Sequence, residues 1–146
     1  MHLIKIKHFR MKKIIIIITL GLLLISCDPG EGQPNYSLEI LPVSGVVMPT
    51  AFRKDSITEI KVKYLRPTSC HFFESFYYTI DEFDRTVAIY SAKANQEGCQ
   101  NDNVTVIEVP LNFRPTNLGT YHFKFWTGEN ATGGPQYIEY EAIVNH

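Results

Sequence analysis

Thr120-Tyr121-His122-Phe123-Lys124-Phe125-Trp126 alternates polar and apolar side chains, and Tyr137-Ile138-Glu139-Tyr140-Glu141-Ala142-Ile143-Val144 resumes an alternation after a Gly-rich loop. A period of two belongs to a strand with one buried and one wet face. Pairing Trp126 with Tyr137 in an antiparallel hairpin sets Lys124 against Glu139 and His122 against Glu141 on one face. Tyr121, Phe123 and Phe125 then meet Ala142, Tyr140 and Ile138 on the other. A slip by one residue would set charge against aromatic rings on both faces, so one register is specified.

Outward from this hairpin the same period persists. Ile60, Val62 and Tyr64 alternate with Glu59, Lys61 and Lys63, and Phe72 to Ile80 is aromatic and β-branched enough for a more central strand. Thr86 to Ala92 and Val104 to Val109 add two more. Tyr36 to Leu41 makes a first strand, which Val46 and Val47 continue after a break at Pro42. No apolar stripe recurs at three and four residues over a helical length. Turn formers cluster at Arg66-Pro67-Thr68, Asp81 to Arg85, Asn95 to Asn103, Arg114 to Gly119 and Gly128 to Pro135. About seven strands in this pattern predict an all-β antiparallel sandwich over residues 36–146. A turn at Asp81 to Arg85 is expected to set Ile80 opposite Thr86, Tyr78 opposite Ala88 and Phe76 opposite Tyr90.

Charge divides the chain. Of 14 Lys and Arg residues, five (Lys5, Lys7, Arg10, Lys12, Lys13) precede position 27, where no Asp or Glu occurs. The remainder sets nine basic residues against 15 acidic ones, a formal balance of −6. A nucleic-acid partner is excluded, since phosphate binding needs a basic footprint. With 146 residues, no Gly period and no heptads, collagenous, coiled-coil and multi-domain organisations are excluded as well.

Ile14 to Ile25 reads IIIIITLGLLLI behind Lys12 and Lys13, the n-region and h-region of an export signal over residues 1–26. The run falls short of the roughly 20 residues that a spanning helix needs. Met11 also serves as a start, because Met11-Lys12-Lys13 is already a complete n-region. Leu24-Ile25-Ser26-Cys27 resembles the bacterial lipoprotein box, in which an aliphatic residue, a tolerant position and a small residue precede the modified cysteine. The resemblance implies cleavage before Cys27, a diacylglyceryl thioether on its sulfur and an acylated amino group. At about 0.8 kcal/mol per buried CH₂, several acyl chains hold a protein durably on a membrane. The alternative is a plain signal peptide that leaves Cys27 free. Asp28 to Asn35 is rich in turn formers, so residues 27–35 form a flexible tether of at most about 30 Å. The Ile and Leu run, the acidic residue after Cys27 and the β-domain together resemble small lipoproteins of Bacteroidota. That resemblance implies a lipid-anchored place in the bacterial cell envelope, on the outer membrane. Asp28-Pro29-Gly30-Glu31 leaves open whether the periplasmic or the surface face is meant.

With Cys27 assigned to lipid, Cys70 and Cys99 remain, and export puts them in an oxidising compartment. A disulfide between them is expected; closing a loop of about 30 residues is worth roughly 3 to 4 kcal/mol in the chain-entropy model. A metal or redox pair is the alternative, although neither cysteine sits in a C-x-x-C and His71 is the only nearby imidazole.

Asn117-Leu118-Gly119-Thr120-Tyr121-His122-Phe123 resembles the tyrosine corner of immunoglobulin domains. The resemblance implies an immunoglobulin-like sandwich, with the Tyr121 hydroxyl bonded to backbone a few residues upstream and Gly119 at the bend. Phe123 departs from it, standing where antibody domains carry their second cysteine.

The chain beyond Cys27 has three histidines (His71, His122, His146), no nucleophile elbow and no phosphate-cradling loop. No catalytic residue, cofactor or metal centre is therefore expected. His122 reads as an exposed neighbour of Glu141 rather than a base. Asp81, Glu82 and Asp84 crowd one turn but lack the regular ladder of a calcium loop, and read as a solvated acidic turn. Asn130-Ala131-Thr132 reads as loop. Parity puts Trp126 outside, next to Tyr137 at the edge of the Gly-rich loop, which makes the pair the candidate partner-binding site. The competing reading folds Trp126 under that loop. These features lead to a non-catalytic, membrane-anchored module that binds or supports an envelope protein or glycan. Two readings compete with it: a periplasmic inhibitor of a cationic hydrolase such as lysozyme, which the acidic balance would steer, and an enzyme.

Overall fold

The computed structural model describes residues 35–146; the expected signal peptide, Cys27 and all of the tether but Asn35 lie outside them. Nine strands follow in order: β1 (Tyr36–Leu41), β2 (Val43–Val47), β3 (Phe52–Arg53), β4 (Thr58–Leu65), β5 (His71–Asp81), β6 (Asp84–Ala94), β7 (Val106–Phe113), β8 (Gly119–Glu129) and β9 (Pro135–Asn145). No helix occurs among the described residues. The larger sheet runs β1-β6-β8-β9-β3, with β5 also paired to β6, and the smaller runs β2-β4-β7.

Alternation along the strands builds the core. Ile60, Val62 and Tyr64 of β4 and Val109, Leu111 and Phe113 of β7 join Val87, Ile89, Tyr121, Phe123 and Phe125 of the larger sheet in one buried cluster. Phe113 sits at its centre, with ring centroids 5.9, 5.1 and 5.0 Å from Phe52, Tyr121 and Phe123, all edge-on. Such contacts contribute about 0.5 to 1.5 kcal/mol each beyond area burial. The β8–β9 hairpin adopts the expected register, from Tyr121 opposite Ala142 to Trp126 opposite Tyr137.

Four expectations need correction. The β5–β6 hairpin is shifted by one residue: Ile80 faces Arg85, Tyr78 faces Val87 and Phe76 faces Ile89. Asp81 pairs with Asp84, and Glu82 takes a φ of 47°, so two residues make the turn where five were expected. The shorter turn brings Phe76 and Tyr78, which pack against the core, onto the same side as the fully buried Val87 and Ile89. Secondly, the strands number nine. Val43–Val47 does not extend β1 but crosses to the smaller sheet and pairs with β4, the change of sheet falling at Pro42, which lacks an N–H. Thirdly, β7 covers Val106–Phe113 rather than Val104 to Val109; its Pro110 is tolerated because β7 is an edge strand. Lastly, the sheets are not wholly antiparallel. Because β7 lies in the opposite sheet, the chain re-enters beside β6 in the same direction, and β6–β8 and β3–β9 are parallel pairs.

Cys70 and Cys99 are joined, with Cα atoms 5.5 Å apart. The bond ties the start of β5 to the loop after β6, at the open end of their hairpin. At the other end Tyr121 Oη accepts from the Asn117 N–H at 3.1 Å and donates to the Asn117 carbonyl at 3.4 Å. Gly119 reaches the corner with a φ of 132°, and a Cβ there would lie 3.3 Å from the Phe83 ring. Phe83 meets Tyr121 edge-on at 4.9 Å. Arg85, buried, lies over the Tyr121 ring at 4.8 Å while its Nη1 donates to the Glu82 and Asp84 carbonyls, both at 2.8 Å. Turn and corner thus form one unit.

Candidate functional site

The two outer faces of the sandwich differ in chemistry. On the smaller sheet, Glu59, Lys61 and Lys63 of β4 alternate with the buried core residues, and Glu108 of β7 stands 3.4 Å from Lys61 Nζ and 3.5 Å from Lys63 Nζ. That face is charged and solvated.

On the larger sheet, β8 and β9 present four outward rows: Thr120 with Ile143, His122 with Glu141, Lys124 with Glu139, and Trp126 with Tyr137. His122 Nδ1 is 3.7 Å from Glu141 Oε1, as a wet-face pair should be. Lys124 Nζ turns instead to Asp84 of β6, at 3.6 Å, because the parallel pairing lays β6 beside it. A shallow groove of 260 Å³ runs between these charged side chains. Phe123 and Phe125 are fully buried on the inner face, so Trp126 lies on the outer one, half-buried, with Tyr137 39% exposed.

The loop beyond Trp126 is held by its own hydrogen bonds. Asn130 Oδ1 accepts from the Thr132 N–H (3.0 Å), the Thr132 hydroxyl (2.8 Å) and the Gly134 N–H (2.8 Å). A loop clasped in this way gives the strand ends beside it a fixed shape.

The sequence reading missed a second aromatic pair on the same face. Tyr77 of β5 and Tyr90 of β6 meet edge-on at 5.9 Å, next to Ala88, which is 2% exposed although it points away from the core. One step past the Val87–Phe125 pair, Ala88 comes level with Trp126. Tyr77 stands directly opposite Ala88 on the other side. The expected register had set Phe76 across from Tyr90 and so hid this row; the apolar alternation of β6 was the signal that could have found it.

A hydroxyl, an imidazole and a carboxylate also line up. Thr68 Oγ1 is 2.8 Å from His71 Nδ1, and His71 Nε2 is 3.0 Å from Glu39 Oε2. The Thr68 hydroxyl also accepts from the Cys70 N–H at 3.2 Å, and His71 is only 3% exposed, so a substrate has no approach to the ring. This row joins β1 to the start of β5 beside the disulfide. The hydrogen bond from His71 and the nearby Lys93 ammonium hold the Glu39 carboxyl below the usual carboxylate range, outweighing partial desolvation.

In the acidic turn the Asp84 carboxylate is paired with Lys124, and no group of three metal-ligating side chains occurs among the described residues. Comparison of the chain with protein families, with curated proteins and with solved structures returned no match.

Proposed function

We propose that this chain is a lipid-anchored, non-catalytic module of the bacterial cell envelope that works by binding, through the outer face of its larger sheet. The carrying observation is the Trp126–Tyr137 pair, two aromatic side chains set opposite each other by the β8–β9 register on the side away from the core. Trp and Tyr are over-represented among the residues that dominate binding energy. Both stand on a rigid hairpin whose other face is the core, so little ordering entropy opposes their capture. The lipoprotein box at Cys27 and the tether after it support an outer-membrane anchor. The Tyr121–Asn117 hydrogen bonds support an immunoglobulin-like kinship, from which the parallel β6–β8 pair is a departure. The balance of −6 after Cys27 favours a second reading, an inhibitor of a cationic hydrolase.

The experiment titrates the native protein with isolated envelope components (murein glycan, envelope lipid, envelope proteins) and with lysozyme, comparing it with Trp126→Ala and Tyr137→Ala. Both variants are expected to melt cooperatively with a midpoint lowered by no more than several degrees, and to lose the component that the native protein binds. Binding unchanged in both variants would overturn the assignment of this face. Inhibition of lysozyme at full potency by Trp126→Ala would replace the reading with the second one.

A further inference from the structure

The outer face of the larger sheet is divided in two. Its lower half carries Asp84, His122, Lys124, Glu139 and Glu141, with Ile143 beyond them at the end of β9. Above the Ala88–Trp126 level the outward positions of β1 and β6 carry no charge: β1 presents Tyr36, Leu38 and Ile40, and β6 presents Tyr90 between alanines. Leu38 and Phe72 flank Ala92 from either side, 57% and 55% exposed. Tyr77, Tyr90, Trp126 and Tyr137 stand around this apolar centre, whereas on the opposite outer face of the sandwich the Lys61–Glu108–Lys63 cluster separates the exposed Val47 from the Leu65–Val106 pair. Contiguous apolar surface uninterrupted by such a charged cluster marks a contact site.

Where the chain enters the face decides what covers it. β1, which supplies three of its side chains, is the first strand after the tether, and the Asn35 carbonyl accepts from the Asn95 N–H at 2.9 Å at the corner of the patch. Cys27 is at most about 30 Å of extended chain away. A glycan would need several hydrogen-bonding side chains between the rings, but Ala88, Ala92 and Leu38 fill most of those positions, with Ser75 opposite Tyr90 as the short polar exception. Aliphatic and phenyl groups at the centre with Tyr and Trp around them match the boundary of a bilayer, where Tyr and Trp rest at headgroup level, and the exposed Glu74 in the bulge of β5 would take that same headgroup level.

We infer that the face formed by β1, β5 and the second half of β6 lies against the lipid surface in which Cys27 is anchored. Leu38 and Phe72 are its deepest contacts and Trp126 its border. The inference rests on the anchored-module reading above and names the occupant of that face. It leaves the charged half of the sheet and the whole smaller sheet turned to water.

The chain has one tryptophan, so its fluorescence reports on Trp126 alone. Native protein carrying its lipid is reconstituted into phosphatidylethanolamine–phosphatidylglycerol vesicles containing increasing fractions of brominated phosphatidylcholine. Flotation is measured in the same samples. The expected result is flotation together with a loss of Trp126 emission that grows with the brominated fraction. The double variant Leu38→Glu/Phe72→Glu, altered only at exposed positions, should still float and should recover the emission. Flotation with unquenched Trp126, or quenching unchanged in the double variant, overturns the docking and leaves the anchor standing. Emission that responds instead to added murein fragments, or to protein concentration, gives the face to a glycan or to a second copy and equally overturns it. Native protein that fails to float overturns both the anchor and the docking.

Discussion

Glu39 Oε2 on β1 lies 3.0 Å from His71 Nε2 on β5, across the width of β6, and Lys93 of β6 reaches the other carboxylate oxygen at 3.3 Å. One carboxylate therefore ties together the three strands at the end of the sheet where the chain enters.

This tie predicts an acid sensitivity. The Glu39 carboxyl is held below its usual range in the folded state, so its contribution to stability is fully present above the unfolded-state pKa. It is lost as the pH falls through the ordinary carboxylate range towards the depressed folded value. Thermal midpoints should drop across that window. Glu39→Gln should lower the midpoint at neutral pH and flatten the acid limb; an acid limb as steep as that of the native chain would show that the carboxylate adds nothing.

The Cys70–Cys99 bond closes a loop with a sequence separation of 29. Cys70→Ser should cost about 2 to 5 kcal/mol in urea unfolding, as for native disulfides of small exported domains. Non-reducing peptide mapping of protein taken from the envelope should recover the two cysteines joined. Two free thiols there would contradict the pairing.

Neighbouring aromatic residues on β8 should respond differently to truncation. Phe123 is fully buried between the sheets, so Phe123→Ala should cost about 3 to 5 kcal/mol. Trp126 is half-buried on the outer face, and Trp126→Ala should cost only about 1 kcal/mol. Equal losses in denaturant titrations would mean that Trp126 is a core residue.

The corner gives a backbone prediction. Gly119 holds a φ of 132° with Phe83 3.3 Å from where a Cβ would be. Gly119→Ala should destabilise by more than about 1 kcal/mol, since both the backbone and the contact are strained. Tyr121→Phe removes two hydrogen bonds to Asn117 and should cost about 1 kcal/mol with the fold intact. A stabilised Gly119→Ala would show that the corner relaxes freely.

Legibility in the sequence followed the strength of the local alternation. The β8–β9 register was readable because charge and aromatic residues segregate cleanly over six consecutive pairs. The β5–β6 register was not. Phe72 to Tyr78 is aromatic on both faces, so pairing was left to the turn, and Glu82 adopts a positive φ that nothing in Asp81-Glu82-Phe83-Asp84 announces. Pro42 was legible as a break, but not as a change of sheet, because a crossing depends on where β4 lies. Parallel pairing of β6 with β8 depends likewise on β7 joining the other sheet. At the candidate site, Trp126 and Tyr137 followed from parity along one hairpin. Their neighbours Tyr77, Tyr90 and Leu38 come from three other strands, and only the tertiary arrangement puts them on one face.

An anchor at Cys27 underlies both the envelope placement and the docking of the larger sheet, and the most direct measurement of it is the mass of the mature amino terminus in protein isolated from the envelope. The prediction is a chain beginning at Cys27 whose first residue carries a diacylglyceryl thioether and an acylated amino group. A mature terminus elsewhere, or an unmodified Cys27, would contradict it.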